Sequence, residues 1–324
     1  MSRSRTRERG WPPDPEPLGS PVVDNHTHLE SVLDFRVDGP DGTDGPRTLE
    51  DHLARAATAG VTRIVQVGCD LDAAAWTDRL LRSSSAGDPA GSPVSLLGAV
   101  AIHPNEAVLH AGVREVAPDG LEPSAAERHE VGLDDAIAAI AEIARGNDRV
   151  RAIGETGLDH FRAGPQGREV QVEAFRAHIA LAKELGLALQ IHDRDAHEQV
   201  VEVLERDGAP ERTVFHCFSG DAALARHCAD RGWYLSFAGP VTFGANDDLR
   251  AALRAVPLSQ VLVETDAPYL TPHPYRGRPN APYLLPHTVR RIAAELELDV
   301  DDLCRTLTTT SEQVYGRWQT GRTG

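Results

Sequence analysis

From Pro21 onward, short apolar runs alternate with stretches whose apolar residues recur every three or four positions. Eight runs read as strands: PVVDNH (21–26), TRIVQVG (62–68), VSLLGAVAI (94–102), RVRAIGE (149–155), LALQIH (187–192), RTVFHC (212–217), WYLSFAG (233–239) and QVLVET (260–265). Most are nearly continuous in apolar residues, the pattern of parallel strands covered by helices. Between Glu169 and Leu185 the positions Val172, Phe175, Ile179, Ala182 and Leu185 predict a helix that stops at Gly186. A second helix is predicted to start at Asp195, with Glu198 three residues on as in a capping box, and to end near Gly208. Thr48 can cap the first helix and Gly60 can close it. Eight β–α units in one chain predict a closed α/β barrel of the (β/α)8 type. An open doubly wound sheet is the alternative, but no G-x-G-x-x-G follows the first strand.

Outside this pattern, residues 1–20 show no periodicity and read as a flexible basic and Pro-rich tail. Arg3, Arg5, Arg7 and Arg9 also allow an arm that touches nucleic acid. The barrel is expected over 21–318, with a short tail at 319–324. Arg82–Pro93, rich in Ser and Gly, and His110–Gly132, rich in acid and Pro, read as insertions forming surface loops.

Composition narrows the class. With 324 residues, 41% hydrophobic and 25% charged, the chain has the apolar content for a core, which excludes disorder throughout. No apolar run approaches the roughly 20 residues of a membrane helix, and the basic N-terminus lacks the apolar stretch of a signal peptide. Cys69, Cys217, Cys228 and Cys304 lie far apart without a Cys-x-x-Cys, which points away from a disulfide scaffold and towards the cytoplasm. The net charge of −16 argues against coating nucleic acid by bulk charge, but leaves room for a site that handles phosphate through bound cations.

The distinctive polar residues stand at the C-terminal ends of the proposed strands, the face on which barrels build active sites. His26 and His28 are two apart in an extended segment, so both face one way and can share a metal. His103, held at a strand end by Pro104, suits a substrate contact or simply ends the strand. Glu155 follows an apolar strand between Gly154 and Gly157, glycines expected to let the backbone approach a ligand. A carboxylate there calls for a cation, as a bridge between metals or as a salt bridge to arginine. Asp159 can orient a ligand or cap a loop. His192 and His216 sit at corresponding places in successive units, as ligands or as core histidines. Asp266 closes the ring beside the first strand, where it can bind metal and accept a proton from metal-activated water. Six such groups exceed what one catalytic metal takes, and divide between two cations about 3.5–4 Å apart. Imidazole and carboxylate suit Zn, Mn, Ni or, with more water, Mg.

The stretches DNHTHLE (24–30), IHPNEA (102–107), AIGETGLDHFR (152–162), LQIHDRDA (189–196), VFHCFSGD (214–221) and VLVETDAPYLTPHPYRGRPN (261–280) closely resemble the TatD family of metal-dependent deoxyribonucleases, in the amidohydrolase-like group. The resemblance runs from Val22 to the C-terminal helices. It implies a distorted TIM barrel with extra C-terminal helices and two divalent cations. By position, His26, His28, Glu155 and Asp266 would hold one, and Glu155, His192 and His216 the other. His103 matches the family's phosphate-facing histidine. Ala101 and Glu30 depart from common family residues, and neither removes a ligand.

The function expected from this is hydrolysis of DNA phosphodiester bonds, as 3′ to 5′ trimming of single-stranded ends, with Asp266, Glu155 and His103 as the catalytic groups. Arg276 and Arg278 are expected to contact flanking phosphates or to lie in a solvated loop. Neither a membrane nor an obligate protein partner is expected. The rival readings are deacylation of aminoacyl-tRNA at the same site, an amidase or lactonase of the wider group, and a non-catalytic nucleic-acid-binding protein. Glu155 disfavours the amidase or lactonase, since many of those place a modified lysine there.

Overall fold

The computed structural model describes residues 10–35, 47–83 and 94–318. The block Arg3–Arg9, most of the 82–93 insertion and the 319–324 tail lie outside the described residues. Eight strands form one sheet in sequential order: β1 (Val22–Thr27), β2 (Val61–Gly68), β3 (Ser95–Val100), β4 (Val150–Asp159), β5 (Ala188–Arg194), β6 (Thr213–Phe215), β7 (Tyr234–Phe237) and β8 (Val261–Val263). Every neighbouring pair is parallel. The ring closes at the C-terminal ends of β8 and β1, where Asp266 N donates to His26 O at 3.0 Å and His28 N to Ala267 O at 2.9 Å. All eight expected strands are present. Register breaks between β1 and β2, β3 and β4, and β4 and β5 make the (β/α)8 barrel a distorted one.

Eleven helices surround the described barrel: α1 (Leu29–Asp34), α2 (Leu49–Thr58), α3 (Leu71–Ser83), α4 (Pro104–His110), α5 (Leu133–Gly146), α6 (Pro165–Leu185), α7 (His197–Asp207), α8 (Ala222–Asp230), α9 (Asp247–Arg254), α10 (Leu285–Leu296) and α11 (Val300–Tyr315). None among the described residues is long and apolar enough to cross a membrane. Thr48 caps α2 in a reciprocal box with Asp51, and α6 ends at Gly186 with φ 61°. Asp195 does not cap α7 as expected. That helix starts two residues later, after Ala196, without a side-chain cap.

The barrel interior is small and apolar, with Val23, Val65, Val67, Leu97, Ala99, Val214 and Leu262 pointing inward. The C-terminal end of α11 brings Val314 and Tyr315 into the same cluster, followed by Trp318. Residues 10–20 are not the loose tail the sequence suggests. Trp11 and Leu18 are buried, Leu18 N donates to Ala59 O at 3.1 Å, and Tyr283 donates to Pro12 O at 2.7 Å. Two apolar side chains and a line of backbone carbonyls suffice to dock a segment that has no periodicity to read.

Candidate metal centre

Glu155 lies inside β4, nearly buried, and its two oxygens face different partners. Oε2 is 3.5 Å from His26 Nε2 and 3.6 Å from His28 Nε2. Oε1 is 2.5 Å from His192 Nδ1, 2.8 Å from His216 Nε2 and 3.5 Å from His103 Nε2. Asp266 completes the first group, with Oδ1 3.5 Å from His28 Nε2 and 3.9 Å from His26 Nε2. Asp266 has φ 52°, a left-handed conformation uncommon outside glycine, held by its N–H on His26 O. All six residues expected as ligands, and His103, therefore meet at one end of the barrel.

The flanking glycines act on a neighbouring strand. A Cβ at Gly157, φ 144°, would stand 2.1 Å from His192 O, so the missing side chain lets β4 approach β5 rather than a ligand. Asp159 both caps and orients: one oxygen accepts from Arg162 N at 2.9 Å, the other from Asn105 Nδ2 at 3.0 Å and His192 Nε2 at 3.3 Å.

Hydrogen bonds on the far side of each ring settle which nitrogen carries the proton. His28 Nδ1 faces Val67 O at 3.1 Å, His26 Nδ1 faces Gln190 Oε1 at 3.0 Å, and His216 Nδ1 faces Glu264 Oε1 at 3.1 Å. Each acceptor requires Nδ1–H, which leaves the Nε2 lone pair directed into the site, the arrangement that orients metal-binding imidazoles. His103 is the opposite case. Its Nδ1 accepts from Asn105 N at 3.1 Å, so the neutral ring carries its proton on Nε2 and is a donor.

Beneath the site these anchors join. Gln190 Nε2 donates to Tyr315 Oη at 2.7 Å, Tyr315 donates to Asn25 Oδ1 at 2.8 Å, and Asn25 Nδ2 donates to Ser236 Oγ at 2.6 Å. Ser236 in turn donates to Glu264. A buried chain thus runs from His26 to His216 through the end of α11. Sequence reading missed Gln190, Asn25, Ser236, Glu264 and Tyr315. The available signal was Glu264, a carboxylate directly after the apolar run VLV, as Glu155 is after its own.

Charge is concentrated here. Burial pushes the Glu155 carboxyl up, but the facing His216, His103 and His192 hold it well below the ordinary range. Burial lowers His216, and Glu155 and Glu264 reverse this and hold it well above. Against the same burial, Asp159 and Glu155 raise His192 to about 9. Burial and then His216 bring His26 down to about 4. The same carboxylates that hold these imidazoles up would be balanced by bound cations. Above lies a cavity of about 790 Å³ whose lining includes six carboxylates: Glu30, Asp70, Glu106, Glu155, Asp193 and Asp266. The lone pairs, the divided carboxylate and this excess negative charge fit divalent cations.

The His110–Gly132 insertion is more than a surface loop. Arg128 grips Glu106 at 2.7 and 3.1 Å and reaches Asp70 at 3.5 Å, bracing the cavity wall. Glu106, His110 and His129 also lie together, but Ala126 N donates to His129 Nδ1 at 2.8 Å. His129 Nε2 must then donate to Glu106 at 2.8 Å, which makes this a brace and not a ligand set. Arg276 and Arg278 do not line the cavity. Arg278 donates to Gly10 O and Trp11 O, and Arg276 lies 4.8 Å over the Phe243 ring.

A parallel barrel whose strand ends gather imidazoles around a shared carboxylate is the architecture of a metal-dependent hydrolase. A family model described as "TatD related DNase" matches residues 23–316. A Mycobacterium tuberculosis protein named "Uncharacterized metal-dependent hydrolase TatD" is 39% identical over 299 residues, 91% of this chain and 98% of that one. The Salmonella typhimurium "3'-5' ssDNA/RNA exonuclease TatD" is 35% identical over 167 residues, 50% of this chain and 61% of that one. The solved structure of YJJV, a TatD homologue from Escherichia coli, shares the fold with TM-score 0.72 and 23% identity, covering 91% of this chain and 98% of that one. The chain belongs to the TatD family of metal-dependent hydrolases.

Proposed function

We propose that this hydrolase cleaves phosphodiester bonds of DNA, trimming single-stranded 3′ ends, with two divalent cations. The observation that carries the reading is the division of Glu155, one oxygen towards His26 and His28, the other towards His192 and His216. His26, His28, Glu155 and Asp266 would hold one cation, and Glu155, His192 and His216 the other. When bound, the cations supply Lewis acidity, lowering the pKa of water and neutralising charge on the phosphoryl oxygens.

The chain's own groups do the rest. Asp266, at the cavity floor, accepts the proton of the attacking water. His103 donates its Nε2–H to a phosphate oxygen, a role its bond from Asn105 N prepares. Tyr269, 56% exposed with its ring centroid 6.1 Å from that of His28, offers a face on which a base can stack. The Salmonella relative's name supports a single-stranded substrate.

The test is digestion of a 5′-labelled single-stranded oligonucleotide by metal-stripped protein, with and without added Mg, Mn or Zn. The expected result is a ladder shortening from the 3′ end that appears only with cation. No cleavage of DNA or RNA with any cation, alongside hydrolysis of aminoacyl-tRNA, would replace this reading with the deacylase.

A further inference from the structure

The cavity is acidic and the proposed substrate is a polyanion. Cations at the metal centre answer for the scissile phosphate, whereas a neighbouring phosphate meets the carboxylates of the wall. Among the described residues lining that cavity, Arg194 is the only lysine or arginine. It ends β5, and residues two apart on a strand share a face, so it follows His192 on the same side, about 6.6 Å further out. Asp193, between them, is engaged by His197 at 2.7 Å.

The Arg194 guanidinium lies 4.0 Å over the Phe161 ring, at the exposed end of the site. It makes no ion pair or hydrogen bond among the described residues. The platform is fixed, because Asp159 pairs with Arg194 in the β4–β5 ladder and His160 N donates to Arg194 O at 2.9 Å. A planar cation braced on a ring keeps its N–H edge oriented and open, the form suited to a phosphate.

We propose that Arg194, braced on Phe161, binds the phosphate next to the scissile one in a nucleic-acid strand. This assigns the flanking contact to the end of β5 and not to Arg276 or Arg278, and it rests on the phosphodiester reading above.

The test uses the full chain with added cation and a thymidine trinucleotide, whose 3′ linkage is cut and whose 5′ linkage is the neighbour. Replacing the neighbouring linkage by a neutral methylphosphonate is expected to lower the wild-type kcat/KM by about 10- to 100-fold. Arg194→Ala should show a similar loss on the normal trinucleotide and little further loss on the neutral one, since the two changes remove one interaction. Arg194→Lys should recover part of the loss, because it keeps the charge without the flat fork. In Arg194→Ala, which removes the cation, the salt dependence of oligonucleotide binding should become shallower by about 0.7 in log–log slope. A wild-type enzyme indifferent to the methylphosphonate overturns the proposal, whatever the variants' folding. Equal sensitivity in wild type and Arg194→Ala does so too. Failure of the wild type on every oligonucleotide would instead overturn the phosphodiester reading, and this proposal with it.

Discussion

Replacing Glu155 by Gln is expected to abolish hydrolysis, by roughly a thousandfold or more, and to strip the centre of its cations. The physical reason is the position of this one carboxylate, buried, with Oε2 facing His26 and His28 and Oε1 facing His192, His216 and His103. An amide has one acceptor oxygen and no charge, so it can serve one side at most. Metal chemistry contributes several kcal/mol to the transition state, and each 1.36 kcal/mol is tenfold. The fold should survive, because β4 is held by ladders to β3 and β5 that do not involve this side chain. Elemental analysis alongside hydrolysis and circular dichroism checks the expectation. A folded Glu155→Gln protein with full metal content and near wild-type turnover would contradict it.

Asp266→Asn separates proton transfer from metal binding. The backbone there has φ 52°, a conformation asparagine tolerates well, and its N–H stays on His26 O. The variant keeps an oxygen that can still contact a cation, but loses the ability to accept a proton at neutral pH. Turnover is expected to fall by about 10²–10⁴-fold with metal content largely kept. His28→Ala should behave differently, losing metal and regaining part of its activity as the metal concentration rises. Single-turnover hydrolysis of a short oligonucleotide, with metal content measured on the same samples, distinguishes them. Normal turnover in a fully metallated Asp266→Asn would remove Asp266 from the proton-transfer role.

The barrel is legible in the sequence because buried parallel strands leave apolar runs, and eight of them between helical patterns admit few arrangements. The gathering of His26, His28, His103, Glu155, His192, His216 and Asp266 is legible for the same reason, since strand ends of a barrel meet on one face. The supports are not. Gln190 meets His26 across 164 positions of sequence, and Tyr315 meets Asn25 across 290. No local period encodes such pairs; they follow from barrel closure and from the C-terminal end of α11 packing into the barrel interior. The arginines show the same limit. Arg276 and Arg278 stand in a loop whose composition suits phosphate, but Arg278 is drawn to the carbonyls of Gly10 and Trp11. Arg194 stands two residues after a candidate ligand, and only the cavity distinguishes it.

Elemental analysis of the purified protein, with His28→Ala and His216→Ala beside it, tests most directly whether Glu155 joins two cation sites. The account predicts about two divalent cations per wild-type chain, with each variant losing chiefly the one on its own side of Glu155. A single cation per wild-type chain, lost in both variants alike, would contradict it.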